Sequence, residues 1–510
     1  MTQGKVFLVG AGPGDPGLVT LRAKDLIASA DVVVYDFPVH PGLLAWCRPD
    51  CEKIFVDSRP DKTPAFQDVE ELIVVRAKAG RNVVRLASGD PFVLGRGSEE
   101  ARRLAADGIA FEVVPGVSAA LAAGACTGIA LTRRNTSPAL VLLAVHEDPA
   151  THAPDTDVRR YGALPGATLA IQLGVAHLRP VLAGLIAGGL SPKAPAAVVQ
   201  WASLGRQRSV TGTAATLADL GGSLQADAPT VLLIGDVVQD RETTNWFERL
   251  PLFGRRIVIT RAREQAGDLR TRLERLGAEV LELPLVEIRP KAERDMILEI
   301  FEGIGQYDWL VFTSANGVRN FFALFLKAFR DLRGLGVMRI ACVGASTARL
   351  VREMHLEVEI CPESGAADGL ADAMIATGSL DNAKVLVITG NLNRDTLVTK
   401  LEDERAIVDI FQVYENVRTD LAGHPAAEEF RKSGADAVLF ASSSAVRAFA
   451  AQAGALQTAG GARRLLAGSI GPRTSEAMRE TGIRVDFEAK ESSIEALVDA
   501  LVAKLGSSHD

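Results

Sequence analysis

The residues best able to do chemistry lie in short polar turns that follow apolar runs. The first run, Lys5–Gly10, ends in Gly10-Ala11-Gly12-Pro13-Gly14-Asp15-Pro16. Glycines at this density let backbone N–H and C=O groups approach a folded, nucleotide-like ligand. The spacing is not a dinucleotide fingerprint. Asp15 stands where the third fingerprint glycine belongs, and an acid there would repel a pyrophosphate. Asp31 and Asp36 sit near the acidic offset of that fingerprint, but α/β chains often supply an acid there by chance, so no nicotinamide cofactor is expected. A second kind of turn is rich in hydroxyls. Phe312-Thr313-Ser314 and Phe440-Ala441-Ser442-Ser443 belong to an internal repeat, Asp308–Phe321 and Asp436–Phe449, offset by 128 residues. Asp, Phe, Ser, Val, Arg and Phe match in it without a gap. A second pair, Val343-Gly344 with Thr347 and Ile470-Gly471 with Thr474, follows at an offset of 127. Hydroxyl-bearing turns at strand ends are where open α/β sheets bind ligands. Cys47 and Cys51 are four apart with no second Cys/His pair nearby, so no metal site is expected.

Positioning these turns is the work of alternating strands and helices. Continuous Val/Ile/Leu runs at Asp31–Tyr35, Val83–Ala87, Thr168–Leu173, Val231–Gly235, Arg256–Thr260, Asp308–Thr313, Lys384–Thr389 and Asp436–Ala441 read as strands buried on both faces, hence α/β layers. The rhythm breaks at Asp240–Phe253, which places the main boundary there. The repeat in the second half implies two similar lobes with a ligand-binding cleft between them. With 510 residues and a formal charge of −7, the chain is long enough for several cores and has no global basic field for nucleic acid or an anionic membrane. An anionic substrate would need a local cluster, and Arg255, Arg256, Arg261 and Arg263 form one. Five cysteines do not suggest a disulfide framework. No basic-then-apolar leader and no membrane-length apolar run is evident, so a cytoplasmic protein is expected.

In order, Val9–Pro16, Leu18–Leu21, Val34-Tyr35-Asp36, Gly89-Asp90-Pro91-Phe92, Gly95-Arg96-Gly97 and Val114–Ala119 resemble the tetrapyrrole methylase family, and within it uroporphyrinogen-III C-methyltransferase. The likeness runs from about Lys5 to Asn245-Trp246-Phe247, a domain of residues 1–248. It implies two α/β lobes with S-adenosylmethionine in their cleft, and a homodimer through this half. Cofactor contacts would fall at Pro13, Ser88, Gly89, Asp90, Val93, Ser118, Ala119, Leu173 and Ala202. Asp36 would be the general base that relieves the positive charge created when a pyrrole carbon is methylated. Several positions depart from the family. Phe37 stands where arginine is usual, Ala87-Ser88 where Lys-Gly is usual, and Ser58 aligns with a lysine assigned as proton donor; Arg59 and Arg133 are the nearby cations that would compensate. An active methylase and a non-methylating domain both fit that pattern.

From about Arg255 onward the chain resembles uroporphyrinogen-III synthase, through Ile259-Thr260-Arg261, Leu283-Pro284-Leu285, Phe312–Asn316, Gly390-Asn391-Leu392, Val413-Tyr414, Phe440–Ser443 and Ile470-Gly471-Pro472 with Thr474. The likeness implies a second domain, residues 252–510. Lobe one would be about 252–288 plus 418–510 and lobe two about 289–417, with crossings near Arg289 and Asn416. It also implies cyclisation of hydroxymethylbilane with inversion of ring D. Such an enzyme chiefly holds a reactive polycarboxylate in a folded shape. Arg261, Thr313, Ser314, Ser442, Ser443 and Thr474 would bind it. Tyr414 would protonate the departing hydroxyl, since a phenol stays protonated at neutral pH. The alternative for Tyr414 is a packed hinge residue. No metal is implied.

Overall fold

The computed structural model describes residues 3–56, 66–146, 154–260, 263–283, 285–362, 367–391, 396–421, 423–456 and 464–506. Four five-stranded sheets organise the chain. The first is wholly parallel, in the order β3-β2-β4-β1-β5, from β1 (Val6–Gly10), β2 (Val32–Asp36), β3 (Glu52–Val56), β4 (Val83–Ala87) and β5 (Phe111–Val114). Its strands are apolar throughout because both faces are covered. Leu8, Val32 and Val34 pack on one side, and Val9, Val33 and Leu86 on the other.

The second sheet is mixed, in the order β6-β7-β10-β8-β9, from β6 (Ala139–Val145), β7 (Ala167–Leu173), β8 (Pro195–Gln200), β9 (Arg208–Thr213) and β10 (Thr230–Ile234). The boundary segment packs firmly rather than hanging free. The Trp246 indole N–H donates to the Ala125 carbonyl at 2.9 Å, and Glu248 accepts from Gln207 and pairs with Arg241.

The third sheet is parallel, in the order β12-β11-β18-β19-β20, from β11 (Arg256–Ile259), β12 (Glu279–Glu282), β18 (Ala437–Phe440), β19 (Leu466–Ser469) and β20 (Phe487–Glu488). The fourth has the order β13-β17-β16-β14-β15, from β13 (Val286–Pro290), β14 (Trp309–Phe312), β15 (Arg339–Cys342), β16 (Lys384–Gly390) and β17 (Ile407–Arg418). The chain therefore starts in one lobe, crosses to the second and returns. Val286–Pro290 pairs antiparallel with the end of the 12-residue β17; Val286 packs on the core of lobe one and Ile288 on that of lobe two.

The repeat is structural as well as sequential. Asp308 accepts a hydrogen bond from the Lys384 amide at 2.9 Å, and Asp436 accepts one from the Arg256 amide at 2.8 Å. Each acid fixes the start of a neighbouring strand. Phe312 and Phe440 are fully buried at the matching core positions.

Candidate functional site

In the first half, the turns after β1, β4 and β5 converge at the C-terminal edge of the parallel sheet. Glycine is required there by proximity: a Cβ on Gly116 would lie 2.1 Å from the Gly89 carbonyl oxygen. Gly12 and Gly89 exchange backbone hydrogen bonds at 2.8 and 3.2 Å, and Gly89 has φ +66°. Asp90 is an organiser of this edge. Its carboxylate accepts from the Phe92 amide at 2.7 Å and from the Gly116 amide at 2.9 Å. Ser118 caps the helix Ala119–Thr127. Leu173 ends β7, and Ala202 follows β8, both buried. The Asp15 amide donates to the Ser203 hydroxyl, tying the glycine turn to this second lobe. Pro13, Ser88, Gly89, Asp90 and Ser118 thus lie on one sheet edge, with Leu173 and Ala202 on strand ends of the other lobe. Val93 is more than one third exposed. Asp15 also caps the following turn through the Gly17 amide, a local role that agrees with the absence of a fingerprint glycine there.

Asp36, at the end of β2, is held by a partner that the sequence reading missed. Arg85 Nη2 donates to Asp36 Oδ2 at 2.7 Å, and Arg85 Nε donates to Glu100 at 2.9 Å. All three side chains are nearly buried. Burial disfavours the Arg85 charge, but the two carboxylates outweigh it and hold the guanidinium firmly protonated. Glu100 is raised by burial, partly offset by Arg85. The other Asp36 oxygen, Oδ1, is buried with no hydrogen-bond partner among the described residues. A buried acceptor left open is uncommon and suits a ligand N–H. The signal for Arg85 in the sequence was a lone charge inside the apolar run Val83–Ala87.

Phe37 packs edge-on against Trp201, with ring centroids 5.8 Å apart. Arg133 pairs with Asp240 at 2.6 Å on an exposed surface. Ser58 and Arg59 lie outside the described residues, as does Arg261.

In the second half, the hydroxyl turns cap helices at the C-terminal edges of the two lobes' sheets. Ser314 Oγ accepts from the Gly317 amide at 3.0 Å, and Ser442 Oγ from the Ala445 amide at 3.2 Å. The two serines have nearly the same backbone conformation. The helices Ala315–Ala328, Ala345–Glu353, Ser443–Ala450 and Pro472–Glu480 all begin at these edges. Four positive helix ends suit a ligand with many carboxylates. Tyr414 Oη lies 3.0 Å from Ser314 Oγ, and its ring covers Gly390, where a Cβ would meet it at 2.5 Å. The Thr313 hydroxyl donates to the Ile388 carbonyl, and the Ser443 hydroxyl to the Arg473 carbonyl. Thr474 is buried, matching Thr347 in the repeat.

Of the expected arginine cluster, Arg255 and Arg256 are not at this edge, and Arg261 lies outside the described residues. Arg255 and Arg256 start β11, at the opposite end of the strand from Thr260. Arg255 pairs with Asp436, and Arg256 with Glu279 and Glu429. Among the described residues no group of three or more His, Cys, Asp or Glu side chains could hold a metal ion, and no helix is long and apolar enough to cross a membrane.

Fold and sites define an α/β enzyme in which polar turns gather at the C-terminal edges of parallel strands in both halves. The family model for tetrapyrrole (corrin/porphyrin) methylases matches residues 5–218, and that for uroporphyrinogen-III synthase HemD matches residues 267–499. The chain is 32% identical to the porphyrin biosynthesis protein HemD of Ruminiclostridium josui, over 98% of both chains. It is 35% identical to uroporphyrinogen-III C-methyltransferase of Bacillus subtilis, over 71% of this chain and 74% of the relative. Among solved structures, uroporphyrin-III C-methyltransferase of Thermus thermophilus complexed with S-adenosylhomocysteine is 34% identical; the match covers 46% of this chain and 99% of that one, with a TM-score of 0.40. The chain belongs to the porphyrin-biosynthesis family in which a tetrapyrrole methylase is fused to a uroporphyrinogen-III synthase.

Proposed function

We propose that this chain closes hydroxymethylbilane to uroporphyrinogen III and then methylates that product toward precorrin-2. The observation that carries the methylation reading is Asp36, with one oxygen fixed by Arg85 and the other open beside the glycine turns. The turns offer backbone polar groups and small or apolar side chains, a lining that fits S-adenosylmethionine at Pro13, Ser88, Gly89, Asp90, Val93, Ser118, Ala119, Leu173 and Ala202. When bound, the cofactor supplies an electrophilic methyl group. Asp36, oriented by Arg85, accepts the pyrrole N–H and draws off the positive charge as the ring carbon is alkylated. Arg85 fixes the carboxylate's direction.

For cyclisation, Tyr414 donates its phenolic proton to the leaving hydroxyl, and Ser314 fixes that phenol. Thr313, Ser442, Ser443, Thr474 and Arg261, with the helix ends, hold the carboxylates while ring D inverts. Domains 1–248 and 252–510 carry the two reactions in a cytoplasmic homodimer joined through the methylase half. A second reading, a synthase whose first half binds cofactor without methylating, draws support from Phe37, which lines the loop beside Asp36 with an apolar ring in place of a cation. One assay separates them: hydroxymethylbilane with labelled S-adenosylmethionine, scored for isomer and for methyl count. We expect methylated type III product. Unmethylated type III would leave the second reading, and type I alone would remove the cyclisation.

A further inference from the structure

Three of the turns around the methylase centre, those after β1, β2 and β8, do not end in solvent. Each touches the synthase half, through the helix Arg263–Arg275 or strand β12 of lobe one. In the turn after Asp36, His40 Nε2 lies 3.6 Å from Glu274 Oε1, and a Cβ on Gly42 would sit 2.6 Å from Arg270 Nη1. The glycine turn brings Asp15 into a small shared cavity with His40, Ser203 and Glu274. The contact is tightest in the turn after β8. A Cβ on Gly205 would lie 2.3 Å from the Ala278 carbonyl carbon, and the Gly205 carbonyl accepts from the Gly254 amide at 3.1 Å.

That last turn is strained. Trp201 and Ser203, which flank Ala202, hold φ values of +53° and +73°. Non-glycine residues persist there only when their surroundings over-determine them. The surroundings include lobe one. Arg206 stacks its guanidinium 3.6 Å over the Trp201 ring and reaches Glu279 at 3.6 Å. Trp201 in turn backs Phe37, the neighbour of Asp36. A cavity of about 980 Å³, lined by Phe37, Trp201 and Arg206 from one half and Arg256 and Glu429 from the other, opens beside this stack. Trp201 is held from its own half, where its indole N–H donates to Gln225 Oε1 at 3.1 Å, and from lobe one through the Arg206 bridge to Glu279.

We infer that lobe one of the synthase half is a positioning element of the methylase centre, holding the Trp201–Arg206 turn and, through it, the cofactor contact at Ala202 and the wall next to Asp36. The inference rests on the reading of the first half as a cofactor-binding methylase. Arg206 is a positioning residue, since it acts through Trp201. Supporting shells of this kind keep reacting groups within about half an ångström of a productive geometry.

The test uses the full chain. Gly205→Val drives a wedge between the halves without altering a side chain at either centre. Affinity for S-adenosylhomocysteine is measured by calorimetry, methyl transfer with labelled cofactor, and type III formation as the control for folding. We expect the affinity to fall about tenfold and methyl transfer at least as far, with synthase activity within about twofold of the parent. Arg206→Met should reproduce the loss, and Arg206→Lys, which keeps the charge facing Glu279, should recover most of it at an unchanged Tm. These two variants decide the matter if Gly205→Val does not fold. Unchanged affinity and methyl transfer in a folded Gly205→Val or Arg206→Met protein would overturn the inference. A parent chain that binds S-adenosylhomocysteine yet transfers no methyl would sink the methylase reading instead, while the calorimetric comparison still decides this one.

Discussion

The two halves place opposite kinds of chemistry at the same topological position. Both centres sit at the C-terminal edge of parallel strands. In the methylase half that edge holds a buried charge network, Asp36–Arg85–Glu100. In the synthase half it holds neutral hydroxyls that cap helices, with Tyr414 against Ser314. Under the proposed function, the difference follows from what each reaction asks of the protein. Alkylating a neutral pyrrole creates a cation, and a fixed carboxylate answers it. Folding a polycarboxylate asks for many donors of modest strength, with no strong base that would trap a reactive intermediate. On that proposal one strand-turn-helix device serves charge stabilisation when a carboxylate ends the strand, and anion holding when a serine begins the helix.

The comparison is broken most directly at Asp36. Asp36→Asn keeps the shape and removes the charge. Methyl transfer should fall by about 10²–10⁴ in kcat while type III formation stays at the parent level. Equal kinetics in the variant would remove Asp36 from the chemistry. Arg85→Met tests whether the network is also structural. Removing one member of a buried ion group leaves two carboxylates uncompensated, at a cost of about 3–5 kcal/mol. Urea unfolding should show that loss in the methylase transition, and a midpoint unchanged from the parent would mean that water already screens the group. In the other half, Tyr414→Phe removes one hydroxyl and no charge. We expect type III formation to slow by about 10²-fold, with stability changed by only about 1 kcal/mol. A hinge tyrosine would give the stability change without the rate change.

Much of this contrast was legible in the sequence, and the reasons are local. Gly89 and Gly116 are needed because two backbones touch, and Ser314 and Ser442 because a helix begins there. The repeat was visible, but the work of its acids was not: Asp308 and Asp436 fix amides 76 and 180 residues away in sequence. Arg85 looked like an irregularity in a strand, since its partners Asp36 and Glu100 are 49 and 15 residues distant. Arg255 and Arg256 were grouped with Arg261 by proximity in the chain. The length of β11 puts them at the opposite edge of the sheet from Thr260, where they hold lobe one together.

The junction between the halves sharpens the comparison, because there the titrating groups belong to neither reaction. Glu274 is pushed up to about 7 by burial, which outweighs the nearby Arg270. His40 is pushed down to about 3 by burial, with Arg270 and Arg206 adding to it, so its 3.6 Å approach to Glu274 is a contact of neutral groups near pH 6. The signs follow from proton linkage. Between about 4.5, the ordinary glutamate value, and 7, the folded chain keeps a Glu274 proton that the unfolded chain has lost, so stability falls as pH rises through that window. Between about 6.5 and 3 the unfolded chain protonates His40 first, so stability falls as pH drops. Glu274→Gln removes the alkaline loss alone. It should stabilise the chain on the order of 1–3 kcal/mol at pH 8 and leave it near the parent value at pH 4.5. Thermal unfolding of both proteins across that range measures the difference, and parallel pH profiles would show that Glu274 titrates as an ordinary surface acid.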